Sequence, residues 1–117
     1  MAGHETIHRQ PLLKALLGAA KLVDRVEIME IRFVPGQETG FHRHPCPVVG
    51  YIADGTILFQ IDGEPAVTLQ RGDAFFEPAN REIRHFDNAS QAESASFIAF
   101  YLLGAGETEL IEMLQDH

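Results

Sequence analysis

The chain has 117 residues, 45% of them apolar and 22% charged, proportions that suit one folded domain with its own core. Seventeen acidic side chains against nine basic ones leave a net charge of −8, with no basic stripe, which argues against nucleic acid or an anionic membrane as partner. A single cysteine, Cys46, excludes an intrachain disulfide. No apolar run reaches the roughly 20 residues that span a bilayer, and the polar start MAGHETIHRQ has no signal-peptide core, so the chain reads as cytoplasmic.

Residues 11–21, PLLKALLGAAK, space Leu12, Leu13, Leu16 and Leu17 as one face of a helix, with Pro11 suited to its first turn and Gly18 weakening it. From there the pattern is that of strands. Residues 22–34 carry Val23, Val26, Ile28, Ile31 and Phe33 in imperfect alternation and end at the turn Pro35-Gly36. Residues 40–44, 48–53 and 56–61 follow, the latter two closed by the tight-turn pairs Asp54-Gly55 and Asp62-Gly63. Further strands are expected at 66–69, 74–77, 83–88 and 96–103, with Arg71-Gly72-Asp73 as a turn. Many short strands punctuated by glycine every 8–12 residues describe a sandwich or barrel. Residues 107–115, ETELIEMLQ, place Leu110, Ile111 and Leu114 at helical spacing with acids in the first turn, so a short terminal helix is expected. The division is an N-terminal arm or helical segment packed on the barrel (1–25), a barrel (26–104) and a C-terminal helix or tail (105–117).

His42 and His44 flank Arg43. Side chains two apart on a strand share a face, so these imidazoles stand side by side as two donors suited to zinc, copper, iron or nickel. Their alternative role is hydrogen bonding to each other, to water or to an organic anion. Cys46 continues the same parity, although Pro45 and Pro47 flank it, which favours a small packed residue. Glu77 precedes Pro78 at a strand end and could be a ligand, a general base or the salt-bridge partner of a nearby arginine, the last being the simplest reading. His4, His8 and His117 lie near the termini and carry no expected role. Most aromatics, Tyr51 and Tyr101 among them, are expected in the core, with a few lining a pocket. No nucleophile elbow, phosphate-cradling loop or dinucleotide fingerprint is present.

The stretch from Gly36 to Gly55 resembles the first motif of the cupins: Gly, five residues, His-x-His, three or four residues, Glu, six residues, Gly. Gly36, His42, His44 and Gly55 fall in register, while the glutamate position falls on Val48 or Val49. The family's second motif is Gly, five residues, Pro-x-Gly, two residues, His, three residues, Asn. Gly72 and Pro78 match it, and Asn80 stands at the second glycine. The histidine position falls on Ile83 or Arg84, with His85 displaced beside it. Strand parity with Ile83 would bring His85 to the barrel interior, and a one-residue bulge would reverse that. The resemblance covers residues 26–103. It implies an all-β fold, a double-stranded β-helix of the cupin jelly-roll type with a short N-terminal arm and a short C-terminal helix. It also implies a divalent transition metal (iron, zinc, nickel, copper or manganese) on His42, His44 and His85, with Cys46, Glu77, Tyr51 and Arg84 as additional site residues. The implied function is a dioxygenase- or isomerase-like enzyme acting on a small organic molecule, or a non-catalytic ligand-binding or sensor barrel. A homodimer is implied as well; the leucine-rich stretch 11–17 is an apolar patch that would serve as its contact or pack against the chain's own barrel.

Overall fold

The structure, a computed structural model, describes residues 6–115; His4 and His117 lie outside them. Among the described residues nine strands follow in order: β1 (Arg25–Phe33), β2 (His42–Arg43), β3 (Val48–Asp54), β4 (Thr56–Ile61), β5 (Val67–Gln70), β6 (Ala74–Glu77), β7 (Ile83–Asn88), β8 (Ala95–Leu103) and β9 (Glu112–Met113). They form two antiparallel sheets, ordered β1-β8-β3-β6 and β5-β4-β7-β2-β9. Glycines at positive φ make the turns that separate them, among them Gly55 (77°) and Gly63 (85°), where any side chain would be strained.

The two sheets close over one core because the strands alternate. In β8, Ala95, Phe97, Ala99, Tyr101 and Leu103 are buried while Ser96, Ile98, Phe100 and Leu102 face outward and are partly exposed. Between the sheets Phe33, Phe75, Phe86 and Phe97 meet edge to face, with Phe86–Phe97 centroids 4.7 Å apart and Phe75–Phe86 4.9 Å apart. Such pairs contribute about 0.5–1.5 kcal/mol each beyond burial. Gly50 sits where a Cβ would run into the Ile98 carbonyl and the Phe75 ring, so the close approach of β3 to β8 depends on the missing side chain.

Among the described residues no helix is present; of the two readings of the N-terminal segment the arm holds, and the expected C-terminal helix is corrected. The leucine-rich stretch runs as an arm without regular structure, broken at Gly18 (φ 86°); eleven residues fall short of the roughly 12–15 an isolated helix needs. At the other end, the expected C-terminal helix is instead an extended strap. Its Glu112 and Met113 pair with Arg43 and His42, and the Leu114 N–H donates to the Phe41 carbonyl at 2.9 Å. The free edge of β2 offers those backbone groups partners, and a nine-residue helix would have left that edge open.

Candidate metal centre

β2 carries His42 into the interior opposite Ile83 of β7 and Met113 of β9. His44 follows just past the strand, its ring 5.0 Å from that of His42. Each imidazole is pinned from behind. His42 Nδ1 lies 2.6 Å from the Gly40 carbonyl and His44 Nδ1 lies 2.6 Å from the Leu110 carbonyl. A carbonyl only accepts, so each Nδ1 carries a proton and donates it. In the neutral ring Nε2 is then a bare lone pair, the form a metal binds.

Both Nε2 atoms face one oxygen. Glu77 Oε2 is 2.7 Å from His44 Nε2 and 3.4 Å from His42 Nε2. All three side chains are buried, and the donor atoms lie within 4.8 Å of one another. With both rings neutral, Glu77 Oε2 is a buried oxygen without a hydrogen-bond donor, confronted by two lone pairs. That arrangement is repulsive unless a cation, a proton or a metal ion, lies between them. Burial opposes the His44 imidazolium, but the bond to Glu77, the Glu77 charge and the Leu110 carbonyl outweigh it and raise the pKa above the usual histidine range. Burial likewise opposes the Glu77 carboxylate, yet the two histidines prevail and hold its pKa below the usual range. Two imidazoles and one carboxylate could hold a divalent metal ion with positions left open.

Register explains where the carboxylate comes from. Val48, at the glutamate position of the cupin motif, pairs across the ladder with Glu77 of β6 and on its other side with Tyr101 of β8. The carboxylate therefore stands one strand over from the motif position. Glu77 faces the histidines, which corrects its reading as an arginine partner. Tyr101, counted only as core, is buried beside His44 at 5.9 Å between centroids. Burial first, and the Glu77 charge second, push its phenol up to about 12, so it stays a neutral hydroxyl. The alternation of β8 is the signal that places Tyr101 inward with Phe97 and Ala99.

Other candidates lie elsewhere. Ile61 pairs with Ile83 and Gln60 with His85, so Arg84 is an extra residue in β7. That bulge buries both Ile83 and Phe86, three apart, and turns His85 away from the His42–His44 pair. His85 is 38% exposed and its Nδ1 meets Asp87 Oδ2 at 2.8 Å. Arg84 bonds Asp62 Oδ1 at 2.9 Å and stacks 4.2 Å over the Phe41 ring. Cys46 is fully buried outside the cluster, and burial, then the charge of Glu107, push its thiol up. Tyr51 lies on the outer face of β3, 41% exposed, in a groove with Leu12, Leu13 and Phe100.

Beside the cluster lies a cavity of about 150 Å³. Phe33, Phe75, Phe86, Phe97, Val48 and Ala99 supply most of its wall, and Ile111 of the strap contributes one side. Among the described residues no helix is long and apolar enough to cross a membrane.

Comparisons agree with this architecture. The beta-alanine degradation protein BauB of Pseudomonas aeruginosa is 41% identical over 75 residues, which cover 61% of this chain and 78% of that protein. A cupin-like protein of Thermotoga maritima superposes with a TM-score of 0.64 at 26% identity, over 76% of this chain and 64% of its own, so this chain spans under two thirds of that relative. A cupin domain from Bordetella pertussis gives 0.56 at 30% identity over 69% of this chain and 84% of its own. Residues 29–101 match the family model described as a cupin domain, and with the two-sheet barrel around its paired histidines the chain belongs to the cupin domain family.

Proposed function

We propose that His42, His44 and Glu77 hold one divalent transition metal ion and that the adjoining cavity receives a small organic molecule, making the protein a mononuclear metal-dependent enzyme. The observation that carries this is the tautomer lock. Two carbonyls hold the protons on Nδ1, so both Nε2 lone pairs converge on a single buried carboxylate oxygen. A metal bound there would supply Lewis-acid or redox chemistry to a molecule in the open positions. The chain itself contributes orientation of the ligands, an apolar wall that excludes water, and the Tyr101 hydroxyl as a neutral donor at the rim of the cluster.

Cobalt(II) substitution tests the ligand set. Wild-type protein should bind cobalt and give visible absorption that reports imidazole and carboxylate donors. Glu77→Gln should weaken cobalt by more than the about 10–100-fold that loss of a group merely orienting a ligand costs. Equal cobalt affinity in Glu77→Gln would remove the carboxylate from the site. A barrel that takes up no metal would leave the ligand-binding module as the better reading. On the outer surface we infer a second copy of the chain as partner, supported by the exposed leucines of the arm.

A further inference from the structure

The charge inventory of the cavity goes beyond the metal and limits what molecule can enter. Its lining has aromatic and aliphatic walls, the His42, His44 and Glu77 cluster, and two neutral hydroxyls, Tyr101 and Thr39. Among the described residues no lysine or arginine lines it. Three arginines pair away from it: Arg43 with Glu112, Arg81 with Glu64 and Arg25 with Glu27. His42, His44 and Glu77 are buried where they meet the pocket, and an uncompensated charge held against them is disfavoured, so the contents there come close to neutral. A dication on two neutral imidazoles and one carboxylate leaves a single positive charge.

From this, and resting on the metal-site reading above, we propose that the cavity selects a compact molecule with one singly anionic oxygen head and an apolar body, and rejects dianions. One anionic oxygen head balances the site; a second carboxylate would have to sit against phenylalanine without a counter-ion. The volume of about 150 Å³ is below the 300–1,000 Å³ of sites for drug-sized ligands. Cavities near this size accept single small rings or short branched chains. Tyr101 can donate to the head without changing the charge count, whereas the Thr39 hydroxyl already donates to the Phe86 carbonyl. The four phenylalanine rings offer nothing polar to the tail.

Three probes of equal non-hydrogen atom count isolate the rule: isovalerate, a branched monoanion; isovaleramide, its neutral counterpart; and malonate, a dianion. Calorimetric titration and methyl NMR of zinc-loaded protein should show isovalerate binding at least about tenfold tighter than malonate, a difference of about 1.4 kcal/mol. The shifted methyls should belong to Val48, Ala99 and Ile111. Ile111 is 42% exposed, so Ile111→Lys should bring a cation to the wall and reduce that preference at least about tenfold when the proteins are compared at equal zinc occupancy. Malonate binding as tightly as isovalerate, or no probe binding to zinc-loaded protein, would overturn the proposal. If the protein takes up no zinc, the metal reading fails on its own, and the neutrality rule then requires the amide to bind ahead of both anions, because without the dication no group of the lining offsets an anionic head. Anions binding ahead of the amide in that protein would overturn the rule itself.

Discussion

A carbonyl oxygen can only accept a hydrogen bond, and this determines what His42 and His44 present to the barrel. Gly40 and Leu110 hold the Nδ1 protons, so Glu77 faces two nitrogens that need a cation between them. In metal-free protein that cation is a proton, and stability depends on pH at both ends. The pKa of His44 is raised, so its contribution is complete below 6.5 and is lost as pH rises through the folded value. The pKa of Glu77 is lowered, so its contribution is complete above 4.5 and is lost as pH falls through the folded value. Chelated protein should therefore show the cluster's full stabilisation between 4.5 and 6.5 and lose it on the alkaline side, whereas zinc-loaded protein should keep it there. Thermal melts across pH with chelator and with zinc check this; parallel curves above pH 7 would contradict it. A second residue-scale prediction concerns Asn80, a non-glycine residue with positive φ (64°), whose N–H donates to the His44 carbonyl at 2.7 Å. Asn80→Ala should cost about 1–2 kcal/mol, because alanine pays the left-handed penalty that asparagine partly escapes, while Asn80→Gly should hold stability in urea titrations. The asparagine at a motif glycine is readable from the sequence as this backbone requirement, because asparagine is the residue that most often stands in for glycine there.

Strand register decides which elements meet at the site, and here the sequence and the structure part company. The strand positions themselves were readable: Asp54-Gly55, Asp62-Gly63 and Gly72 mark turns between β3 and β4, β4 and β5, and β5 and β6. Alternation within β8 likewise shows which of its side chains share a face. Pairing between strands was not, since Val48 opposite Glu77 is a contact across 29 residues with no local signature. The β7 bulge at Arg84 also inverts the parity that would have aimed His85 inward, and one extra residue leaves no trace in a six-residue strand. The strap was hidden because ETELIEMLQ satisfies a helical period, while its actual partners, the edge of β2 and the His44 ring, lie some 70 residues upstream. Its Leu110 carbonyl orients the His44 ring and its Ile111 walls the cavity, so strap and cluster should be coupled. Glu112→Lys, which places like charge against Arg43, should speed hydrogen exchange at the Leu114 amide and weaken zinc. Zinc should in turn slow that exchange in the wild type. Exchange at Leu114 unaffected by both changes would separate the strap from the site.

At the scale of the whole molecule the shape is too extended for one compact body. The radius of gyration is 16.0 Å, against about 13 Å for a globular chain of this length. The long axis is 65 Å beside 40 and 24 Å. The arm accounts for apolar surface of the same kind: Leu16 is 76% and Leu22 92% exposed, and Val26 and Ile28 continue the patch on the outer face of β1. Leu12 and Leu13 line a groove with Val49, Tyr51, Ala74 and Phe100 on that sheet. A second copy of the chain laid over this face, the partner proposed above, would cover these side chains. Sedimentation equilibrium should give twice the chain mass, and Leu12→Asp with Leu16→Asp should shift it to the monomer without changing zinc content. A monomeric wild type at micromolar concentration would contradict the pairing.

The most direct test of the account is the metal content of tag-free protein, measured by elemental analysis after zinc reconstitution and desalting, beside the His42→Ala/His44→Ala double variant and Glu77→Gln. The account predicts close to one zinc per chain in the wild type, none retained by the double variant and a sharp loss in Glu77→Gln. Wild-type protein that stays free of zinc, and of iron, manganese, copper and nickel under the same treatment, would contradict it.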